Sequence, residues 1–336
     1  MDEEMLTHGI AFDGSSIQGF RGIEDSDMVM RPVLETAFVD PFMAVPTLAV
    51  SCSVFEPNGT RFERDPRYIA EKAEAYLASS GIATTAYFGP ELEFFIFDDV
   101  RFESTNRGAF YAVDSEEAMW NTGNGEKNLG YQVKNKGGYF PVPPIDTQQD
   151  IRTEMVKELM NAGIRVERHH HEVATAGQAE INFRFNTLTR TADTVMTYKY
   201  IIRNVARKYG KTVTFMPKPV FGDNGSGMHV HQSLFDGDTP LFFEQDRYGN
   251  MSDIALHYIA AFCITRLQFW PFQTQARILT SAWSRVMKRL SIWSSQKATA
   301  ALPFVYRLRW SRRRPHASSS AHRTARPTRI SRLQPC

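Results

Sequence analysis

The sequence predicts an α+β fold of mostly antiparallel strands with intervening helices, on three observations. The stretch Phe88-Gly-Pro-Glu-Leu-Glu-Phe-Phe-Ile-Phe97 is crowded with aromatic and branched side chains and alternates with a period of two, which makes it a strand. That alternation sends Leu92, Phe94 and Ile96 to one face and Glu91, Glu93, Phe95 and Phe97 to the other. Around 147–162, Ile151, Met155 and Leu159 recur at four-residue spacing and Gly163 supplies a stop, the pattern of an amphipathic helix. Alternation returns at 179–185, where Ile181, Phe183 and Phe185 oppose Glu180, Asn182 and Arg184, and at 228–234, where His229, His231 and Ser233 share a face.

Residues 1–63 come first and read as a small β-rich domain. Val45 to Phe55 is a strand candidate, Pro57-Asn58-Gly59 supplies a turn, and Phe12-Asp-Gly-Ser-Ser16 is a turn-prone loop free to face a partner. Asp65-Pro66 caps a helix that runs to Gly81. The 88–97 strand follows. Residues 101–138 are polar and rich in Gly and Asn and predict a long loop, and Gly138-Tyr-Phe-Pro-Val-Pro-Pro144 is rigid and extended. Beyond the 147–162 helix the pattern gives strands near 164–168 and 179–185 and a helix at about 190–208 that stops at Gly210. A strand over Lys211–Met216 and a glycine-rich turn then lead into 228–234. No internal repeat is present.

At 336 residues and 38.3 kDa the chain is long enough for two domains with a substantial core. No apolar run is long enough to cross a membrane, and the acidic start Met1-Asp-Glu-Glu-Met predicts no secretory leader. Cys52, Cys263 and Cys336 form no close pair, which points to a reducing, cytoplasmic setting and away from a thiolate zinc site. The net charge of +2 averages two different pieces. From Ile264 to Cys336 there are fifteen Lys plus Arg and no acid, leaving 24 basic and 37 acidic residues in the preceding 263, a net of −13. An acidic body suits a cation binder and predicts no nucleic-acid partner.

Chemistry is carried by oxygen and imidazole ligands. Glu91 and Glu93 lie roughly 6–7 Å apart along one strand face. If buried they repel and shed hydration, so they need cations or protons. A wet edge strand with two solvated glutamates fits this stretch equally well. His229, His231 and Ser233 share a face, although HxH alone is more often structural, and His169-His170-His171-Glu172 reads equally as a solvated polar cluster. Glu172 and Glu180 flank Val173-Ala-Thr-Ala-Gly-Gln-Ala179, a small-residue loop that lets both carboxylates return to one place.

Together these motifs resemble bacterial type I glutamine synthetase. The resemblance rests on Phe12-Asp-Gly-Ser-Ser16 with Asp25-Ser-Asp27, Gly89-Pro-Glu-Leu-Glu93, Lys136-Gly-Gly-Tyr-Phe-Pro-Val-Pro-Pro144, His170-His-Glu-Val-Ala-Thr-Ala-Gly-Gln178 and Lys218-Pro-Val-Phe-Gly-Asp-Asn-Gly-Ser-Gly-Met-His-Val-His-Gln-Ser233. It runs from about Gly9 to Ala261. It implies a β-grasp-like N-terminal domain over 1–63 and, over 64–263, part of a catalytic domain with a curved, mostly antiparallel sheet. It also implies conversion of L-glutamate, ammonium and ATP to glutamine through γ-glutamyl phosphate, with two Mg2+ or Mn2+ ions.

Carried over by position, Glu93, Glu172 and Glu180 match ligands of the first ion, and Glu91 and His229 match two ligands of the second. Asn224 and Gly225 match glutamate-binding positions, and Glu167, His231 and Ser233 match ATP contacts. Asp13 and Ser16, from a neighbouring subunit, match the ammonium site with Tyr139 and Glu172, Asp13 being the candidate proton acceptor. The resemblance further implies a dodecamer with active sites between subunits. A ligase for another amine, or a non-catalytic binding subunit, are the alternatives.

Two departures shape the expectations. Only eleven residues precede Phe12, so the N-terminal domain is expected to be incomplete. After Phe262 the family pattern stops, and residues 264–336 hold four of the five tryptophans and no acid. We expect this tail to be out of frame, poorly ordered and without the last ligand of the second ion. Little or no ligase activity is therefore expected of the chain as written.

Overall fold

The computed structural model describes residues 3–121 and 128–273. The expectations made for the tail fall outside the described residues from 274 onwards. Helix α1 (Glu3–His8) leads into an antiparallel sheet of β1 (Ile10–Asp13), β2 (Asp27–Pro32) and β5 (Cys52–Phe55), in the order β1-β2-β5. A hairpin of β3 (Phe38–Asp40) and β4 (Thr47–Ala49) lies between β2 and β5 in sequence. The strand predicted over Val45–Phe55 is thus two strands, which join different sheets across the Val50-Ser51 break.

Helix α2 (Pro66–Ser79) starts where the sequence places it. The Asp65 carboxylate accepts from the Arg67 amide at 3.0 Å, and Pro66 occupies the first turn, where it forfeits no hydrogen bond. β6 (Thr85–Phe97) is the spine of the second sheet. It is followed by β7 (Asp99–Thr105) and β8 (Gly108–Asp114), paired through seven residues across an Asn106-Arg107 turn. This hairpin corrects the long loop expected over 101–138. The alternation Val100-Arg101-Phe102-Glu103 is only four residues long, and Phe102, Phe110 and Tyr111 are all exposed, so the strand signal is short and faces no core.

Next come α3 (Gln149–Asn161), β9 (Val166–His171), β10 (Gln178–Phe183), β11 (Asn186–Thr187), α4 (Leu188–Lys208), β12 (Thr212–Thr214), β13 (Met228–Asp236), β14 (Thr239–Pro240) and α5 (Asp253–Gln273). With β6, their strands form one seven-stranded sheet in the order β14-β13-β6-β10-β9, with β11 and β12 also pairing β6. The pairings along it are antiparallel.

Strand alternation divides this sheet into two chemically different faces. Leu92, Phe94 and Ile96 of β6 and Ile181 and Phe183 of β10 pack against Ile151, Met155 and Leu159 of α3 and Tyr198, Ile201, Ile202 and Val205 of α4. Burying each large side chain contributes about 1.5–3 kcal/mol, which fixes the register of the central strands. The opposite face carries Glu91 and Glu93. Farther along it, Phe95 and Phe97 stack at 5.6 Å and pack on Ala118, Ala174, Ala176 and Val220. A dry floor therefore borders the polar site.

Candidate functional site

Register places the predicted residues in two rows. Glu93, Glu180 and His170 stand directly opposite one another on β6, β10 and β9. Glu91 stands opposite both His229 of β13 and Asn182 of β10, and Asn182 opposite Arg168 of β9. Two carboxylates facing each other across a ladder repel, so the apolar face beneath must hold them there.

Glu172 joins the first row from the turn that connects β9 to β10. Its Oε1 lies 2.7 Å from His170 Nε2, and its Oε2 accepts from the Val173 amide at 3.0 Å. Left-handed backbone at Ala176 and Gly177, φ 60° and 68°, turns the chain back so that Gln178 opens β10. His170, Glu172 and Glu180 each offer a ligand-type atom, all within 4.8 Å of one another. Glu93 is held from the other side. Its Oε2 accepts from Gln178 Nε2 at 2.9 Å and from the Gly227 amide at 3.1 Å, and Gln178 Nε2 also donates to the Gly225 carbonyl at 3.0 Å.

This crowding changes proton affinities. Burial pushes the Glu93 carboxyl up to about 7; the charges of Glu172 and Glu180 add to the rise, and the Gly227 amide opposes it. Burial likewise raises Glu180, with Glu91 and Glu172 contributing and the Asn182 amide opposing. For Glu172 burial also opposes ionisation, but bonds from His170 and the Val173 amide win and hold it below the ordinary range. His170 Nδ1 is buried without a hydrogen-bond partner among the described residues. A cluster of this kind lacks positive charge, and its hard carboxylate oxygens plus imidazole suit Mg2+ or Mn2+. The residues present therefore fit the cations that the sequence implies.

The second row is looser. His231 Nε2 comes to 3.0 Å from Glu91 Oε1, and the Arg168 guanidinium to 3.6 Å. His229, opposite Glu91 in register, is 53% exposed, and its Nε2 lies 3.9 Å from Glu93 Oε1. The imidazole nearest Glu91 is thus His231, which the family resemblance matches to a nucleotide contact. Ser233 lies on the same strand face two pleats from His229, opposite Tyr87. Glu167 is paired with Arg184 at 3.1 Å.

Asp223 anchors the loops around the cluster. This buried carboxylate accepts from the Lys136 amide at 3.0 Å, the Thr175 amide at 2.9 Å and the Asn224 amide at 2.9 Å. It thereby joins the segment leading to Tyr139, the Glu172–Gln178 turn and the Asn224-Gly225 loop. Two glycines permit the close approach: a Cβ at Gly138 would meet the Ala174 and Glu172 carbonyls at 2.4 and 2.6 Å, and one at Gly225 would meet the Pro217 carbonyl at 2.1 Å. Tyr139 stands edge-on to His170 at 5.8 Å, and Phe140 stacks on that imidazole at 4.8 Å. Asp13 bonds within its own loop, to the Ser15 hydroxyl at 2.6 Å and the Ser16 hydroxyl at 2.8 Å, and these hydroxyls hold its carboxyl below the ordinary range.

Sequence reasoning gave no role to His170, Gln178 and Asp223, which lie inside the motifs, and missed Glu117. Gln178 was recoverable, since it shares strand parity with Glu180. Glu117 carried no signal: it sits in an aperiodic polar stretch, yet it is fully buried 3.0 Å from His171 Nε2 and accepts from the Thr147 amide and hydroxyl.

Comparison with known proteins gives the family. The family model "Glutamine synthetase, beta-Grasp domain" matches residues 1–57, and "Glutamine synthetase, catalytic domain" matches 63–273. The chain is 58% identical over 251 residues to a glutamine synthetase of Streptomyces filamentosus, covering 74% of this chain and 54% of that protein. It is 56% identical over 264 residues to one of Mycolicibacterium smegmatis, covering 77% and 55%. Its structure superposes on a Plasmodium falciparum glutamine synthetase with a TM-score of 0.71 at 29% identity, covering 78% of this chain and 52% of that one. The chain spans about half the length of the curated relatives it matches. With both family domains matched in order and a carboxylate-lined sheet face at the centre of the second, the chain belongs to the glutamine synthetase family.

Proposed function

We propose that this chain carries the cation- and nucleotide-binding part of an ATP-dependent glutamate–ammonia ligase. The observation that carries this reading is the charge-deficient row of Glu93, Glu180 and His170, closed by Glu172. Glu93, Glu172 and Glu180 would hold one Mg2+ or Mn2+, and Glu91 with His229 a second. Cations bound there would neutralise the phosphoryl oxygens of ATP as the γ-carboxylate of glutamate attacks.

The remaining roles belong to the chain's own groups. Asn224 and Gly225, fixed by Asp223 and Gln178, bind and orient glutamate; Glu167, His231 and Ser233 line the nucleotide. Tyr139 and Glu172, with Asp13 and Ser16 from a neighbouring copy, capture ammonium. The Ser15 and Ser16 hydroxyls hold Asp13 as the anion, the form that binds ammonium and can accept its proton. Ammonia is favoured over a bulkier amine on the strength of this small anionic set.

A dodecamer in the cytoplasm completes the reading. Ile23 and Val39 of the N-terminal domain are 86% and 69% exposed, apolar surface that an assembly would cover. No helix among the described residues is long and apolar enough to cross a membrane.

Electron paramagnetic resonance titration of the purified chain with Mn2+ tests the cation reading. Two ions of unequal affinity are expected, the tighter one lost in Glu93→Gln. No binding below ~1 mM, or two equally tight ions, overturns it.

A further inference from the structure

Besides the His231 imidazole at 3.0 Å, Glu91 has a guanidinium neighbour to which the family motifs assign no role. Arg168 lies on β9, the edge strand of the sheet, in the same register row as Asn182, Glu91 and His229. Its Nε donates to Asn182 Oδ1 at 2.8 Å, and its Nη2 sits 3.6 Å from Glu91 Oε1. Asn182 is buried, and its Nδ2 donates to Glu180 Oε1 at 2.5 Å. The guanidinium is therefore aimed by a fixed amide that is itself anchored on the other cation position. Its distance to Glu91 is that of an ion pair without a formed hydrogen bond, and the side chain is 43% exposed. An arginine held so can let go of its carboxylate without leaving a buried charge behind.

We propose that Arg168 is a built-in counter-cation for Glu91: it neutralises that carboxylate in the cation-free site and sets how tightly the second divalent ion binds. The ion must take Glu91 from the guanidinium and then sit in its repulsion, so both effects weaken binding. Asn182 makes the device directional. It keeps the guanidinium on the Glu91 side and away from Glu93 and Glu172, where a positive charge would compete with the first ion. The proposal rests on the cation reading above, and it makes Arg168 a positioning and affinity-setting residue.

The test is the Mn2+ titration repeated on variants of the whole chain. Arg168→Met keeps a straight apolar stem and removes the charge; Arg168→Lys keeps the charge. Arg168→Met is expected to bind the second ion about five- to tenfold more tightly, leave the first within about twofold, and lose most of its advantage in high salt, while Arg168→Lys matches the native chain. Arg168→Gln, with the same expected outcome, replaces the Met variant if that chain does not fold. A second ion bound no tighter by the neutral variants, with the first intact, overturns the proposal alone. A native chain that binds no Mn2+ overturns the cation reading and the proposal with it.

Discussion

Replacing Glu93 by glutamine should stabilise the chain when no divalent cation is present. The Glu93 side chain is only 12% exposed, and its carboxyl is pushed from 4.5 up to about 7, chiefly by burial. A midpoint displaced that far disfavours the anion by about 3 kcal/mol. The folded chain holds this proton more tightly than the unfolded chain, so ionisation works against folding. The cost is absent below the unfolded value of 4.5, grows as the pH rises, and is complete above about 7. Glutamine keeps the useful half of the group, since its carbonyl can accept from Gln178 and Gly227 in place of Oε2. Urea unfolding in a chelator should then show Glu93→Gln more stable than the native chain by about 1–3 kcal/mol at pH 8 and within about 0.5 kcal/mol at pH 4.5. Adding Mn2+ at pH 8 should reverse the order, because the native chain gains ligand-binding energy that the variant cannot. A variant no more stable at pH 8, or a gain that ignores pH, would refute this account of the site.

Two further substitutions probe the support behind the cluster. Gly138→Ala would drive its Cβ into the Ala174 and Glu172 carbonyls, so a loss of about 1–3 kcal/mol together with weaker Mn2+ binding is expected; unfolding and titration of one sample check both. Burial works against a charged His171, yet the Glu117 carboxylate prevails and raises its midpoint above the ordinary 6.5. The stability this pair supplies is complete below 6.5 and fades as pH rises through the raised midpoint, so Glu117→Gln should cost more at pH 6 than at pH 9 in urea unfolding.

What could be read from the sequence was what periodicity encodes. Alternation alone separates Leu92, Phe94 and Ile96 from Glu91 and Glu93, and the structure makes the first set the core face. The sequence could not show that Phe95 and Phe97, on the carboxylate face, would find Ala174, Ala176 and Val220 and make half of that face dry. Nor could it show Asp223 joining three loops, since backbone amides leave no mark in a residue pattern. The β7–β8 hairpin escaped because its alternating run, Val100 to Glu103, is only four residues long and its aromatic side chains are exposed. His170 was visible as a letter in a histidine run, and only the pairing of β9 with β10 distinguishes it from His169 and His171.

The position of β6 has a consequence for how the chain reaches its fold. Its four partners, β10, β11, β12 and β13, all lie far downstream, from Gln178 to Asp236, so during folding both edges of β6 stay bare until distant segments arrive. A bare strand ending Phe94-Phe-Ile-Phe97 is a template for pairing with another copy. Glu91 and Glu93 stand just ahead of it, and two like charges stacked in register between copies would repel any such association. Glu91 and Glu93, the pair proposed above to hold cations in the native sheet, would thus also guard its central strand against association before its partners arrive.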